Sequence, residues 1–242
     1  MRVLLINPGA PGLFPPPAIG YLAAALRYCL PEVDVIAADL LYACGLLAIG
    51  EHFDFVCASF HSFSAKFARL IRHRAKGSNA RLICGGHHPS SSLGWQLEQD
   101  GWEVVKGEGE EALVNIVAGT PGQWRFGGVS DFPAPDYAGL GGEWKLGGAH
   151  AWPIISSRGC PFDCSFCASS AFWKRRWSGR SPRDVLAELD HIIRHHGVRA
   201  WMFEDDNFTL QPHRAIDICR GIKDLQKEYG RGLSWQLSLI HI

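Results

Sequence analysis

No apolar run in this 242-residue sequence is long enough to span a membrane. The longest, around Leu40 to Ile49, falls well short of the roughly 20 residues a bilayer requires. Net charge is missing as well. Lys plus Arg and Asp plus Glu each number 24, so no overall field recruits nucleic acid or an anionic membrane, although a local patch survives neutral totals. Proline at position 8 interrupts the amino terminus too early for a signal peptide. Cys29, Cys44, Cys57, Cys84 and Cys219 lie scattered among apolar neighbours and read as reduced core thiols, which points to a cytoplasmic location. An apolar content of 47% with 20% charged residues suits one large or two small soluble domains.

The remaining cysteines are concentrated. Cys160, Cys164 and Cys167 stand at C-x3-C-x2-C spacing, and chance placement of 8 cysteines in 242 residues gives about 0.01 such occurrences. Three thiolates on one loop cannot close a four-coordinate centre. A zinc site needs a fourth Cys or His at similar spacing, and no second C-x2-C or H-x3-H pair follows. An iron–sulfur cluster with one iron open to another ligand fits the trio. A structural metal knot or a redox-sensing thiol group is the plainer alternative.

The first half alternates strand and helix signals. Val3–Ile6, Val33–Ala37, Asp54–Ser59, Arg81–Cys84 and Trp102–Val105 are predicted strands, with helices over Ile19–Tyr28 and Ser64–Ala75. Continuous apolar character in the strands predicts a parallel sheet covered on both faces. Ligands of such folds sit beyond the carboxyl ends of the strands, where the loops Asn7–Pro17, Ser59–Phe63, Gly85–Pro89 and Gly107–Glu111 fall. Gly85 and Gly86 permit close backbone approach to a ligand, or simply make a tight turn. Residues from about Gly119 to His150, rich in Gly and Pro, read as a connector, within which Trp124–Val129 suggests an edge strand.

In the second half, Trp152–Ser156 is a predicted strand leading into the cysteine loop. Ser181-Pro182 opens a helix whose apolar face is Leu186, Leu189, Ile192 and Ile193, and Gly197 closes it. Ala200–Phe203 is the next strand, His213–Tyr229 a helix, and Leu233–Leu239 a third strand. Glu204, Asp205 and Asp206 form a carboxylate run that is costly to desolvate unless a cation meets it. A solvated acidic turn, with Asn207 and Thr209, is the alternative.

The stretch SRGCPFDCSFC, with Phe166 before the last cysteine, resembles the radical S-adenosylmethionine (SAM) enzymes. The resemblance implies that Cys160, Cys164 and Cys167 hold a [4Fe-4S] cluster whose open iron is chelated by SAM. It implies that Phe166 packs near the adenine, that Asp205 or Asp206, with Glu204 beside them, meets the SAM amino group, and that SAM cleavage yields a radical that abstracts hydrogen. The segments INPG…PPPAIGYLAAALR, FDFVCASF, LICGGHHP and VVKGEGEEAL are similar to the cobalamin-binding module that precedes many radical SAM domains.

That similarity implies a flavodoxin-like α/β domain over residues 1–120, a linker over 121–150, and the first part of a partial (β/α)6 barrel over 151–242. Ser59, His61, Gly85, Gly86, His87, Gly107 and Glu108 would then contact cobalamin. The D-x-H-x-x-G motif that supplies a cobalt-ligating His in many cobalamin proteins is absent. The expected activity is methylation or rearrangement of an unactivated carbon in a small-molecule substrate, with an electron donor such as flavodoxin or ferredoxin. A radical SAM enzyme whose first domain binds substrate instead of cobalamin is one alternative, and a non-catalytic iron–sulfur electron carrier another. With only about three barrel strands, the chain is expected to be a carboxyl-terminally truncated fragment of a longer reading frame.

Overall fold

The computed structural model describes residues 1–9, 16–48, 50–138, 140, 145–146, 148–230 and 232–237. The chain divides into two compact units, one mainly Pro16–Phe126 with Phe132–Gly142, the other mainly Glu143–Ile242 with Gly127–Asp131.

The first unit follows the alternation in the sequence. Its elements are β1 (Arg2–Asn7), α1 (Pro17–Cys29), β2 (Asp34–Asp39), α2 (Leu40–Ala48), β3 (Phe55–Ser59), α3 (Ala68–Arg74), β4 (Arg81–Gly85), α4 (His87–Ser90), α5 (Gly94–Gln99), β5 (Glu103–Val104) and α6 (Glu110–Ala118). The five strands form one parallel sheet in the order β2-β1-β3-β4-β5. This is the flavodoxin-like order, with its switch point between β1 and β3. Val3, Leu4, Leu5 and Ile6 are all fully buried, as a strand covered on both faces must be. One apolar cluster joins Leu4 and Ile6 of β1 to Leu40, Ala43 and Leu47 of α2, Val56 and Ala58 of β3, and Ile71 of α3. The apolar run beginning at Leu40 is thus a core helix; Ile49 lies outside the described residues.

Trp124–Val129 is not an edge strand. The Asn115 side chain accepts from Trp124 N at 3.0 Å and donates to Trp124 O at 2.9 Å, while Glu111 Oε2 accepts from Phe126 N at 3.1 Å. Side chains of α6 therefore satisfy the backbone groups a ladder would have used. Further along the segment read as a connector, Tyr137 is buried over α1, where a Cβ at Gly20 would collide with its ring. Asp136 N donates to Gly20 O at 3.0 Å, and Arg27 is paired with the Asp136 carboxylate.

The second unit contains β6 (Lys145–Leu146), β7 (Ala149–Ile154), β8 (Ser157–Gly159), α7 (Ser169–Trp173), β9 (Trp177–Gly179), α8 (Pro182–His196), β10 (Ala200–Phe203), α9 (Pro212–Tyr229) and β11 (Ser234–Leu237). Strands β11, β10 and β7 are parallel neighbours, with β6 antiparallel on β7; β8 and β9 form a separate hairpin. Pro153 is tolerated in β7 because the β6 ladder pairs only Ala149 and His150 and has ended before it. Helix α8 begins as its sequence dictates: Ser181 Oγ accepts from Asp184 N at 3.2 Å, with Pro182 in the first turn. Gly197 ends it at φ +62°. Leu189, Ile192 and Ile193 are buried, and Leu186 occupies the space a Cβ at Gly221 of α9 would need. The last predicted strand is described only to Leu237; residues 238–242 lie outside the described residues. No described helix is long and apolar enough to cross a membrane.

Candidate cofactor site

The cysteine loop hangs between β8 and α7, and the register of the main sheet decides what holds it. Ile154 of β7 stands opposite Phe203 of β10, so the residues just past each strand meet although almost fifty positions separate them. Asp205 accepts from Ser156 N at 2.7 Å, Ser156 Oγ at 2.6 Å and Ser157 Oγ at 2.6 Å. Asp206 accepts from Gly159 N at 2.9 Å and from the Ser169 hydroxyl. Gly159 immediately precedes Cys160 and Ser169 follows Cys167 by two residues, so one carboxylate clamps both ends of the loop. Asn207 continues the seam. Its carbonyl accepts from Trp177 Nε1 at 3.3 Å, and its Nδ2 lies 3.7 Å from Cys160 Sγ.

Gly159 has a positive φ of +85°, and a Cβ there would run into the carbonyl of Arg176, the residue just before the facing β9. Only glycine fits. A second tier lies behind this. The Ser156 carbonyl accepts from Arg180 N at 2.9 Å and from the buried Arg214 guanidinium, which also donates to Arg180 O at 2.7 Å and lies 5.7 Å over the Trp177 ring. Arg180 forms a buried ion pair with Glu188 of α8. Burial pushes the Asp205 carboxyl above its ordinary range, despite opposing hydrogen bonds from Ser156 and Ser157. Burial raises Glu188 likewise, with the Arg180 charge opposing.

Asp205 and Asp206, which the resemblance sets against the SAM amino group, both accept hydrogen bonds from residues flanking the cysteine loop. Glu204 differs. It is exposed, its side chain has no hydrogen-bond or ion-pair partner among the described residues, and burial of its surroundings with the neighbouring Asp205 charge pushes its carboxyl up. Phe166 is also exposed, at 74%. Ser156, Ser157, Ser169, Arg180, Glu188 and Arg214 escaped the sequence argument. The one available signal was the pair of serines between a predicted strand and the cysteines.

The three thiols are sulfur donors on one loop, the donor chemistry that an iron–sulfur cluster takes. All are unpaired and only partly buried, and no three His, Cys, Asp or Glu side chains among the described residues converge on one ion.

The other candidate loops lie at the carboxyl edge of the first unit's sheet. Gly86, at φ +100°, brings its backbone against the β3 loop, where a Cβ would lie 2.8 Å from Phe60 O and 2.9 Å from Ser59 Oγ. Phe60 N donates to Gly85 O at 2.8 Å and His88 N to Phe60 O at 3.1 Å. The His61 ring stacks between Phe63, at 5.6 Å, and His87, at 5.4 Å. Its pKa is lowered by burial and by the His87 charge, which favours the neutral imidazole. His88 instead contacts Ser62 Oγ at 3.3 Å. Gly107, at φ +86°, donates its N–H to Ser90 Oγ at 3.0 Å, with Glu108 beside it. Ser59, His61, Gly85, Gly86 and His87 are thus brought together on two adjoining loops; residues 10–15 of the first loop lie outside the described residues.

Residues 154–241 match the family model of the Radical SAM superfamily. The chain is 28% identical over 285 residues to an uncharacterized methyltransferase of Pyrococcus horikoshii, covering 98% of this chain and 60% of that protein. It is 32% identical over 186 residues to the anaerobic magnesium-protoporphyrin IX monomethyl ester cyclase of Cereibacter sphaeroides, covering 62% and 30%. The solved structure of the radical SAM methyltransferase TsrM from Kitasatospora setae, with cobalamin and a [4Fe-4S] cluster bound, superposes at a TM-score of 0.71 and 17% identity over 94% of this chain and 51% of that one. The chain therefore spans 60% or less of each of these proteins. Residues 154–241 are thus similar to the Radical SAM superfamily, and the chain shares its fold with the cobalamin-bound radical SAM methyltransferase TsrM.

Proposed function

We propose that this chain is the cofactor-binding part of a cobalamin-dependent radical SAM enzyme that methylates or rearranges an unactivated carbon of a small molecule. The observation that carries the proposal is the C-x3-C-x2-C loop clamped at both ends by Asp206. Cys160, Cys164 and Cys167 would hold a [4Fe-4S] cluster, the Glu204 carboxylate would receive the SAM ammonium, and Phe166 would cover the adenine. When bound, the cluster supplies the electron that cleaves SAM and cobalamin supplies a methyl carrier. The protein's own part is positional. Asp205 and Asp206 fix the loop, and the αL residues Lys174 and Arg175, at φ +53° and +56°, turn the chain back toward β9. Exposed Lys174 and Arg176 give the loop a basic flank that suits an acidic one-electron donor such as flavodoxin or ferredoxin.

In the first unit, Ser59, His61, Gly85, Gly86, His87, Gly107 and Glu108 would line the corrin site. Domain limits of 1–120 and 151–242, joined through 121–150, accompany this reading. Support comes from the sheet order and its switch point, and from the methyltransferase and cyclase relatives. The test is anaerobic reconstitution with iron, sulfide and hydroxocobalamin, followed by gel filtration. Corrin absorbance should travel with the protein beside the cluster absorbance. A cluster without corrin would leave the first unit as a substrate-binding module, and corrin without a cluster would refute the radical SAM part.

A further inference from the structure

Asn207 has no role in the assignment above, yet its side chain addresses a cluster ligand. Its Nδ2 stands 3.7 Å from Cys160 Sγ, within range of an N–H donated to sulfur. The residue is held for that contact. Its backbone carbonyl accepts from Trp177 Nε1 and, at 3.5 Å, from Ser157 Oγ, and the adjoining Asp206 is fixed to Gly159 and Ser169. Chemistry selects the amide orientation. A thiolate can only accept, so Oδ1 facing Cys160 would set two acceptors against each other, whereas the NH2 group completes a bond. No hydrogen bond to sulfur from a described side chain appears for Cys164 or Cys167, which makes the interaction specific to one ligand.

We propose that Asn207 tunes the cluster, raising its reduction potential by donating an N–H to the Cys160 sulfur. The inference rests on the cluster reading above. Reduction increases the negative charge carried by the ligand sulfurs, so a fixed donor stabilises the reduced form more than the oxidised form, and hydrogen bonds to sulfur are among the determinants of cluster potential. Asn207 itself neither gains nor loses an electron.

The test is an anaerobic redox titration of the reconstituted full chain followed by electron paramagnetic resonance. Asn207→Leu removes the donor at similar volume and should lower the reduced fraction at a fixed poise by about tenfold, a midpoint more negative by ~59 mV for one electron. Asn207→Asp, which replaces the donor with a charge, should move it further in the same direction, and Asn207→Gln should fall between Leu and wild type. Iron content and far-ultraviolet circular dichroism should be unchanged. Equal midpoints in wild type and both donor-free variants overturn the proposal. Loss of the cluster from both variants with intact secondary structure also overturns it, assigning Asn207 to holding the loop. A wild-type chain that takes up no iron and sulfide refutes the cluster reading itself, and the inference with it.

Discussion

The two candidate cofactor regions are held by different means. In the second unit, three consecutive side chains, Asp205, Asp206 and Asn207, reach across from β10 to stitch the cysteine loop from Ser156 to Ser169. In the first unit the loops after β3 and β4 hold each other chiefly through backbone groups, Phe60 with Gly85 and His88 with Phe60, and through the His61 stack. A loop that must present three sulfurs at fixed spacing calls for side-chain anchors. A surface that receives a large planar ligand calls for backbone lying close, which is what Gly86 permits.

The largest way to break the comparison is Gly159→Ala. A Cβ aimed at the Arg176 carbonyl from a left-handed backbone should cost about 3–4 kcal/mol and unseat the cysteine loop. Denaturant melts and iron content should both fall, while corrin binding by the first unit persists. Next is Asp205→Ala. It leaves Ser156 N–H and two hydroxyls without their acceptor, for about 2–3 kcal/mol, and the reconstituted cluster should bleach faster in air.

The mirror experiment is Gly86→Ala, where a Cβ 2.8 Å from Phe60 O at φ +100° should cost roughly 2 kcal/mol. Corrin co-elution should be lost with iron and sulfide retained. If both cofactors are lost together in either glycine variant, the two loops are not separately built sites.

The smallest effect is the pH dependence. Asp205 and Glu188 have raised carboxyl pKa values through burial, so their folded forms hold protons more firmly than the unfolded chain. Their contribution is present below the ordinary carboxylate range of about pH 4 and is lost as pH rises through the raised values. Asp54 of the first unit is held low, chiefly by the Arg2 backbone N–H at 2.7 Å, so its contribution is present above that range and lost as pH falls. Hydrogen exchange corrected for intrinsic rates should show protection around Ser156–Gly159 weakening slightly from about pH 4 to pH 7. Protection around Arg2 and Asp54 should strengthen over the same interval.

How far the sequence was legible follows the range of the interactions involved. Ala200–Phe203 was legible to the residue, and α8 with its Ser181 and Gly197 caps nearly so, because cap chemistry and apolar periodicity are local. The five strands of the first unit were legible for the same reason. Trp124–Val129 was misjudged because its partners, Asn115 and Glu111, are side chains on a helix, which no strand pattern reveals. The acidic run after β10 showed that charge had to be met, but not by what. Its partners at Ser156, Ser157, Gly159 and Ser169 come into reach only through the β7–β10 register. Glu204, ranked behind its two neighbours on motif grounds, is the carboxylate that the fold leaves without a partner among the described residues.

The central claim is that three thiols on a pinned loop hold an iron–sulfur cluster with one iron open to SAM. Mössbauer spectroscopy of the anaerobically reconstituted chain, recorded with and without SAM, tests it most directly. The account predicts a [4Fe-4S] spectrum in which one iron site changes its parameters when SAM is added. Four equivalent sites indifferent to SAM, or a preparation that holds zinc and no sulfide, would contradict it.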